Sequence, residues 1–215
     1  MIKIVVLISG NGSNLEAIAK ACQNNTIPGS IELVISNQPY VKGLERAQKY
    51  HLMSQTISHT DFSSREDFDQ ALTERVLSIE PDLVVLAGFM RILTTQFTSA
   101  FAGKLINIHP SLLPEYPGLD THKQALENGD LMHGATIHYV DEGLDSGPII
   151  AQGALKIDPS QSEAKLAQRI HKIEHALLPK VIAEISKGLI SLKGKEVKFE
   201  SKSYFGKNNM EFFNV

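Results

Sequence analysis

Hydrophobic runs alternate with glycine-containing turns and amphipathic segments along the first half of the chain. Apolar, β-branched runs of this kind are typical of strands that helices cover on both faces. The strand patterns cover residues 2–8, 31–35, 82–87 and 104–108. The helical patterns cover residues 15–25, 43–50 and 63–79. Repeated strand–turn–helix units predict an α/β, Rossmann-like fold: a mostly parallel twisted sheet with helices on both faces.

The second half predicts a strand pair and one long amphipathic helix. The strands cover 136–140 and 148–157, joined by the turn 141–147. The helix carries apolar residues spaced four, three and four apart, at Leu166, Ile170, Ile173 and Leu177. Pro179 is expected to kink this helix or to start a new one, and Gly188 to end it.

Two capping boxes are predicted at helix starts, since Ser and Glu stand three residues apart in each. Ser63 with Glu66 opens the helix 63–79, and Ser160 with Glu163 opens the long helix.

Composition narrows the class of protein. The chain has 215 residues, 42% hydrophobic and 21% charged, with a net charge of -3, so nothing favours binding to nucleic acid. The apolar run 2–8 is far shorter than the roughly 20 residues that span a bilayer, so no membrane segment is expected. Cys22 is the only cysteine. We expect it to be packed rather than reactive, in a cytoplasmic protein.

The turn Gly10-Asn11-Gly12-Ser13-Asn14 follows the first strand and leads into a helix. Free N–H groups and the helix dipole make such a turn suited to an anion, although an ordinary capped turn fits equally well. A Walker loop is excluded because no Gly-Lys-Ser/Thr follows. A dinucleotide site is disfavoured because Leu15 replaces the third glycine and the second strand lacks a terminal acid. A single phosphate fits better.

Asn107 and His109 lie two residues apart at the end of another strand, so both point to the same face. An amide can stabilise an oxyanion, and an imidazole can transfer protons near neutral pH. A structural histidine is the alternative. Pro110 and Pro114 rigidify the following loop, which favours a functional role.

Four segments in order resemble the phosphoribosylglycinamide formyltransferases of purine biosynthesis. They are 9–15 (SGNGSNL), 88–93 (GFMRIL), 107–114 (NIHPSLLP) and 134–152, which contains DSGPII. The resemblance covers residues 1–190 and implies a single formyltransferase domain, with 191–215 as a tail whose order is left open. It implies transfer of the formyl group of 10-formyltetrahydrofolate to the glycinamide amine of N1-(5-phosphoribosyl)glycinamide. The products are the N-formyl compound and tetrahydrofolate.

The resemblance also implies roles for individual residues. Asn107 and His109 would stabilise the oxyanion of the tetrahedral intermediate, and Asp145 would pair with His109, raise the pKa of its imidazole and assist proton transfer. An acidic surface turn is the alternative for 141–145. Removing one oxyanion donor costs about 3 kcal/mol of barrier, so Asn107→Ala should lose most activity.

Binding residues follow by the same resemblance. The substrate phosphate would lie on Gly12, Ser13 and Asn14, and Glu174 would face the glycinamide or ribose. The folate-binding positions are Arg65, Met90, Arg91, Ile92, Leu93 and Asn107, with the loop 141–145 closing the pocket. Ile92, Leu93 and Phe97 could equally be core residues. No metal and no tightly bound cofactor are expected, because the folate is a cosubstrate. Small-molecule substrates are the expected partners, for a monomer or homodimer.

Rival interpretations remain. His171-Lys172-Ile173-Glu174-His175 fits the H-x-x-E-H pattern of some zinc peptidases. A non-catalytic phosphate binder would leave Asn107, His109 and Asp145 unexplained. Methionyl-tRNA formyltransferases and folate deformylases share the core, but we expect each to carry a further domain. The length and mild acidity of this chain favour a small substrate.

Overall fold

The computed structural model describes residues 1–206 and 208–215. The strands are β1 (Ile2–Ile8), β2 (Gly29–Ser36), β3 (Ser54–Thr56), β4 (Leu83–Leu86), β5 (Leu105–His109), β6 (Met132–Tyr139), β7 (Ile149–Lys156), β8 (Ile190–Lys193), β9 (Glu196–Phe199) and β10 (Met210–Phe212). The helices are α1 (Ser13–Gln23), α2 (Lys42–Lys49), α3 (Arg65–Leu77), α4 (Thr95–Ala100), α5 (Thr121–Glu127) and α6 (Glu163–Ser186), with a short 3-10 helix at His59–Asp61.

An eight-stranded sheet runs through the molecule in the order β10-β7-β6-β5-β4-β1-β2-β3. The five strands from β3 to β5 are parallel, whereas β6 is antiparallel to both β5 and β7. The predicted α/β fold with a mostly parallel sheet is confirmed, and the predicted strand pair is β6 and β7.

The two faces of the sheet are both buried, which explains the unbroken apolar pattern of β1. Ile4, Val6 and Ile8 pack in one cluster that includes residues of α1 and α6. Val5 and Leu7 pack on the other side, against residues of α3 and α4. Successive side chains of a strand point to opposite faces, so a strand covered twice needs apolar residues throughout.

The turns after β1 and β4 meet at the carboxyl edge of the parallel strands. Ser9 N–H donates to the Gly88 carbonyl at 3.0 Å, and Met90 N–H donates to Ser9 Oγ at 2.7 Å. This edge is where ligands bind in open α/β sheets.

Both predicted capping boxes are misplaced. Ser64 rather than Ser63 caps α3, accepting from Asp67 N–H, and Ser162 rather than Ser160 caps α6, accepting from Lys165 N–H. A cap must reach the N–H two or three residues onward. Ser63 and Ser160 instead donate to nearby carboxylates, of Asp67 and Asp158.

Helix α6 is one continuous helix with Pro179 inside it, so the prediction that a new helix starts there is wrong. Buried neighbours on either side of the proline, among them Leu178 and Val181, hold the helix in place despite the missing N–H. Gly188 ends the helix as predicted, with a φ of +68° just after the last turn.

The C-terminal segment adds structure to the domain. β8 and β9 form an antiparallel hairpin, and β10 extends the main sheet by pairing with β7. Phe205 is buried in the same cluster as α1 and α6. Among the residues that the structure describes, no helix has the length and apolar character to cross a membrane.

Candidate active site

Three predicted catalytic residues meet at the C-terminal end of β5: Asn107, His109 and Asp145. Asn107 Nδ2 lies 3.3 Å from Asp145 Oδ1, and His109 Nδ1 lies 3.3 Å from Asp145 Oδ2. The first two residues come from β5, and Asp145 comes from the loop between β6 and β7. The arrangement therefore joins an amide donor, an imidazole and a carboxylate from separate segments.

The His109 imidazole is buried, and both its nitrogens face oxygen atoms. Nε2 lies 2.8 Å from the Tyr116 carbonyl, opposite the Asp145 contact of Nδ1. Burial lowers the pKa of His109 below its ordinary value, although the Tyr116 carbonyl and Asp145 act to raise it. Asp145 raises the pKa of His109, as predicted, but the loss of solvent around the imidazole lowers that pKa by more.

Asp145 is held ionised by its surroundings. Burial alone would raise its pKa, but the Gly118 N–H at 2.9 Å and the charge of His109 are among the opposing effects that outweigh burial and lower it. Its backbone is left-handed, with a φ of +50°, and so turns the carboxylate inward from an otherwise exposed loop. The site therefore has a fixed negative charge beside two imidazoles.

His138 is a fourth member of this cluster that the sequence did not reveal. It is 2% exposed, and its Nε2 lies 3.2 Å from Asn107 Nδ2. The contact arises because β5 and β6 pair in a register that sets Asn107 opposite His138. The contact could therefore be found only by knowing how β5 and β6 pair.

The glycine-rich turn after β1 is held against α2. Gly12 has a φ of +73° and precedes α1, which no side chain caps. A Cβ on Gly12 would lie 2.5 Å from Gly43 Cα, so a larger residue does not fit. Arg46 Nε donates to the Asn11 carbonyl at 3.0 Å, and Gly43 N–H donates to the Gly10 carbonyl at 2.9 Å. Gly43 and Arg46 were not among the predicted site residues.

Glu174 lies at the other end of this turn. It is 4% exposed and accepts a hydrogen bond from Asn14 Nδ2 at 2.9 Å. Burial raises the pKa of the Glu174 carboxyl to about 7, and the Asn14 hydrogen bond opposes that rise. The predicted positions 14 and 174 are therefore in direct contact, although they lie 160 residues apart.

The residues predicted for folate divide between surface and core. Met90 and Ile92 are 63% and 61% exposed, whereas Leu93 packs partly against the core and Phe97 is fully buried beside Phe101. Phe97 is therefore a core residue. The exposed pair leaves apolar surface on the segment that follows β4.

Arg65 and Arg91 both lie near the buried Asp69. Burial raises the pKa of Asp69, while its hydrogen bond from Thr94 N–H and the charges of the two arginines oppose that rise. Asp69 thus links the start of α3 to the segment after β4. The Arg65 side chain is 47% exposed and pairs with Glu66 at 3.6 Å.

The structure gives the zinc-peptidase interpretation no support. The His171 and His175 rings stack at 6.1 Å, but Glu174 faces Asn14. Within 1–206 and 208–215, no three His, Cys, Asp or Glu side chains are grouped as metal ligands.

Comparison with known protein families gives a match over most of the sequence. The sequence profile of the formyl transferase family matches residues 2–182. The chain belongs to the formyl transferase family.

Bacterial relatives of this formyl transferase match over most of their length. The phosphoribosylglycinamide formyltransferase of Escherichia coli (strain K12) is 49% identical over 189 residues, 88% of this chain and 89% of that protein. The phosphoribosylglycinamide formyltransferase of Bacillus subtilis (strain 168) is 42% identical, over 86% of this chain and 95% of its own.

Solved structures give the same result. Glycinamide ribonucleotide transformylase 1 from Symbiobacterium toebii superposes with a TM-score of 0.90 at 41% identity, over 93% of this chain and 94% of that one. The phosphoribosylglycinamide formyltransferase of Coxiella burnetii, in complex with CHES, also has a TM-score of 0.90 at 41% identity, and 99% of each chain is covered. The predicted family and fold are confirmed.

Proposed function

We propose that this formyl transferase transfers the formyl group of 10-formyltetrahydrofolate to the glycinamide amine of N1-(5-phosphoribosyl)glycinamide, a step of purine biosynthesis. The convergence of Asn107, His109 and Asp145, at the same carboxyl edge of the sheet as the glycine-rich turn, carries the proposal. The names of the two bacterial relatives, and the match over most of their length, support the choice of substrates.

The reaction has one bond to make and one to break. The substrate amine attacks the formyl carbon, and the oxyanion that forms accepts hydrogen bonds from the Asn107 amide and the His109 imidazole. Asp145 orients His109 and, with solvent, takes the proton that the new ammonium loses. A proton then reaches the folate N10 as the old C–N bond breaks, so that tetrahydrofolate leaves.

Substrate binding uses the two sides of the site. The phosphate lies on the N–H groups of Gly12, Ser13 and Asn14 at the start of α1, where the helix dipole favours an anion. Glu174 faces the glycinamide or ribose. Arg65 serves the glutamate tail of the folate, and the segment 90–93 with the loop 141–145 holds the pterin.

The proposed reaction indicates which molecules the enzyme binds, and its cysteine indicates the compartment. The folate is a cosubstrate, so the proposed reaction needs no tightly bound cofactor. Small molecules suffice as partners, in a cytoplasmic enzyme with a single, partly buried cysteine.

An absorbance assay for tetrahydrofolate formation tests the proposal. Tetrahydrofolate should form from 10-formyltetrahydrofolate only when N1-(5-phosphoribosyl)glycinamide is added. Formation without it would identify water as the acceptor and contradict the proposal.

The role of Asp145 is tested by Asp145→Asn in the same assay. We expect a loss of kcat on the order of 100-fold or more, because the variant removes the charge that orients His109. Asp158→Asn is the matched control, since Asp158 is an exposed carboxyl that accepts hydrogen bonds from Ser160. An unchanged rate in Asp145→Asn would remove Asp145 from the mechanism.

A further inference from the structure

His138 is a buried histidine that the reaction outlined above does not use. It lies in β6, directly opposite Asn107 of β5, and is 2% exposed. A histidine so deep in a sheet needs a partner for each ring nitrogen, because an unpaired buried polar atom is costly. The identity of those two partners decides what the ring does.

The backbone fixes which nitrogen carries the hydrogen. His138 Nδ1 lies 2.9 Å from the Tyr139 carbonyl oxygen. A carbonyl can only accept, so Nδ1 must donate. In the neutral ring, Nε2 then has a free lone pair, and it lies 3.2 Å from the Asn107 Nδ2 amide. Asp145 Oδ1 lies 3.7 Å from Nε2, beyond hydrogen-bonding distance.

Two acceptors therefore face the Asn107 NH2 group: His138 Nε2 and, at 3.3 Å, Asp145 Oδ1. If the Asn107 amide were rotated by 180°, its oxygen would face the lone pair of His138 Nε2 and the carboxylate of Asp145. That orientation is disfavoured twice, so the NH2 end stays at the reacting centre.

We propose that His138 is a positioning residue for formyl transfer, acting as a neutral Nδ1–H imidazole that accepts one amide hydrogen of Asn107 and so orients the other. The hydrogen on His138 stays in place during the reaction. The second hydrogen, now shared with Asp145 over the longer distance, is the one that the formyl oxyanion receives. This inference rests on the proposed function for the identity of the oxyanion.

Kinetics of His138 variants test the inference. His138→Phe keeps the ring volume but removes the acceptor, and should lower kcat about 100-fold, as the loss of an oxyanion donor does. KM for both substrates should stay within about threefold, because ground-state contacts are unchanged. His138→Gln offers a carbonyl oxygen as acceptor and should recover most of the loss.

A double-mutant cycle separates positioning from a structural role. In an Asn107→Ala background, His138→Phe should change kcat by less than about threefold, because the amide it positions is gone. His133→Phe is the matched control: His133 lies on the same strand, is 1% exposed and contacts His122 instead. The fold-loss of kcat from His133→Phe should be the same with and without Asn107→Ala. An equal loss from His138→Phe with and without Asn107 would overturn the inference.

A spectroscopic measurement needs no mutation. In protein labelled with 15N-histidine, NMR should show the His138 ring as the neutral Nδ1–H tautomer at pH 7.5, and the Nε2–H tautomer would overturn the inference. The NMR result does not depend on activity. If the wild-type protein forms no tetrahydrofolate, that result contradicts the proposed function, and the tautomer of His138 can still be measured.

Discussion

Glu174 shows at the scale of one residue how burial sets a charge state. Its carboxyl is almost completely enclosed and accepts one hydrogen bond, from Asn14. Burial raises its pKa from 4.5 to about 7. A carboxyl in water loses its proton near pH 4.3, so this group is protonated in the folded state over a range where the unfolded chain is ionised.

We predict that Glu174 makes the protein less stable as pH rises from about 4.5 to 7. Over that range the folded state binds a proton that the unfolded state has lost, so unfolding releases it and becomes more favourable with pH. At about 1.4 kcal/mol per tenfold change in proton affinity, the loss is on the order of 3 kcal/mol. Above pH 7 it should level off.

Urea unfolding of Glu174→Gln and wild type over a pH series measures this effect. The variant cannot ionise, so its stability relative to wild type should rise by that amount between pH 4.5 and 8. Glu66→Gln, whose side chain is 68% exposed, serves as control. Parallel stability curves for Glu174→Gln and wild type would contradict the prediction.

Cys22 is the second residue whose chemistry depends on burial. Burial raises the pKa of its thiol from 9.0 to about 11. Because the thiolate is the reacting form, we predict that iodoacetamide alkylates Cys22 roughly 100-fold more slowly in the folded protein than in urea at the same pH. Equal rates, followed by mass spectrometry, would mean that the thiol is open to solvent.

At the scale of elements, the start of α3 depends on a single side chain. Ser64 accepts from the Asp67 N–H at 3.1 Å, and α3 begins at the next residue. The first N–H groups of a helix have no partner inside it, so such a cap stabilises the whole element.

Replacing the cap should therefore cost stability. We predict that Ser64→Ala lowers the free energy of unfolding by about 1 kcal/mol, as the loss of a serine cap does. Ser63→Ala is the matched control, since the Ser63 hydroxyl donates to the exposed Asp67 side chain and not to the helix backbone. Urea unfolding compares the two variants. A larger loss from Ser63→Ala would restore Ser63 as the cap.

At the scale of the whole molecule, the C-terminal segment closes the core. Phe205 is 2% exposed and packs with residues of β1, α1 and α6, while β10 covers the edge of β7. The Arg169 guanidinium also donates to the Val215 carbonyl at 2.7 Å. The segment therefore belongs to the domain rather than trailing from it.

We predict that Phe205→Ala lowers the free energy of unfolding by about 3–5 kcal/mol, because it leaves a cavity in a packed core. Phe212→Ala removes a phenylalanine from the same segment, but that ring is 69% exposed and should cost less than about 1 kcal/mol. Thermal or urea unfolding distinguishes them. Similar small losses would show that the segment contributes little to the core.

Some elements could not be predicted because nothing local marks them. The three residues of β3 are all exposed, and the strand is held by pairing with β2 and by a hydrogen bond from Arg75 to Gln55. Helix α4 has six residues, too few to show a period, and its start is held by the Thr94 cap and by Asp69. Such short pieces form because the surrounding fold supplies their partners.

The sequence by itself determined the strands β1, β2, β4 and β5, the turns that follow β1 and β4 and the shared face of Asn107 and His109. These features follow from local rules, since apolar runs mark doubly covered strands and residues two apart on a strand point the same way. Its motifs also identified the family. Only the tertiary structure decided that His138 touches Asn107, that Asn14 bonds Glu174 and that Phe205 fills the core. Those contacts join residues far apart in the chain, and they depend on strand register and packing, which the energy of the whole fold selects.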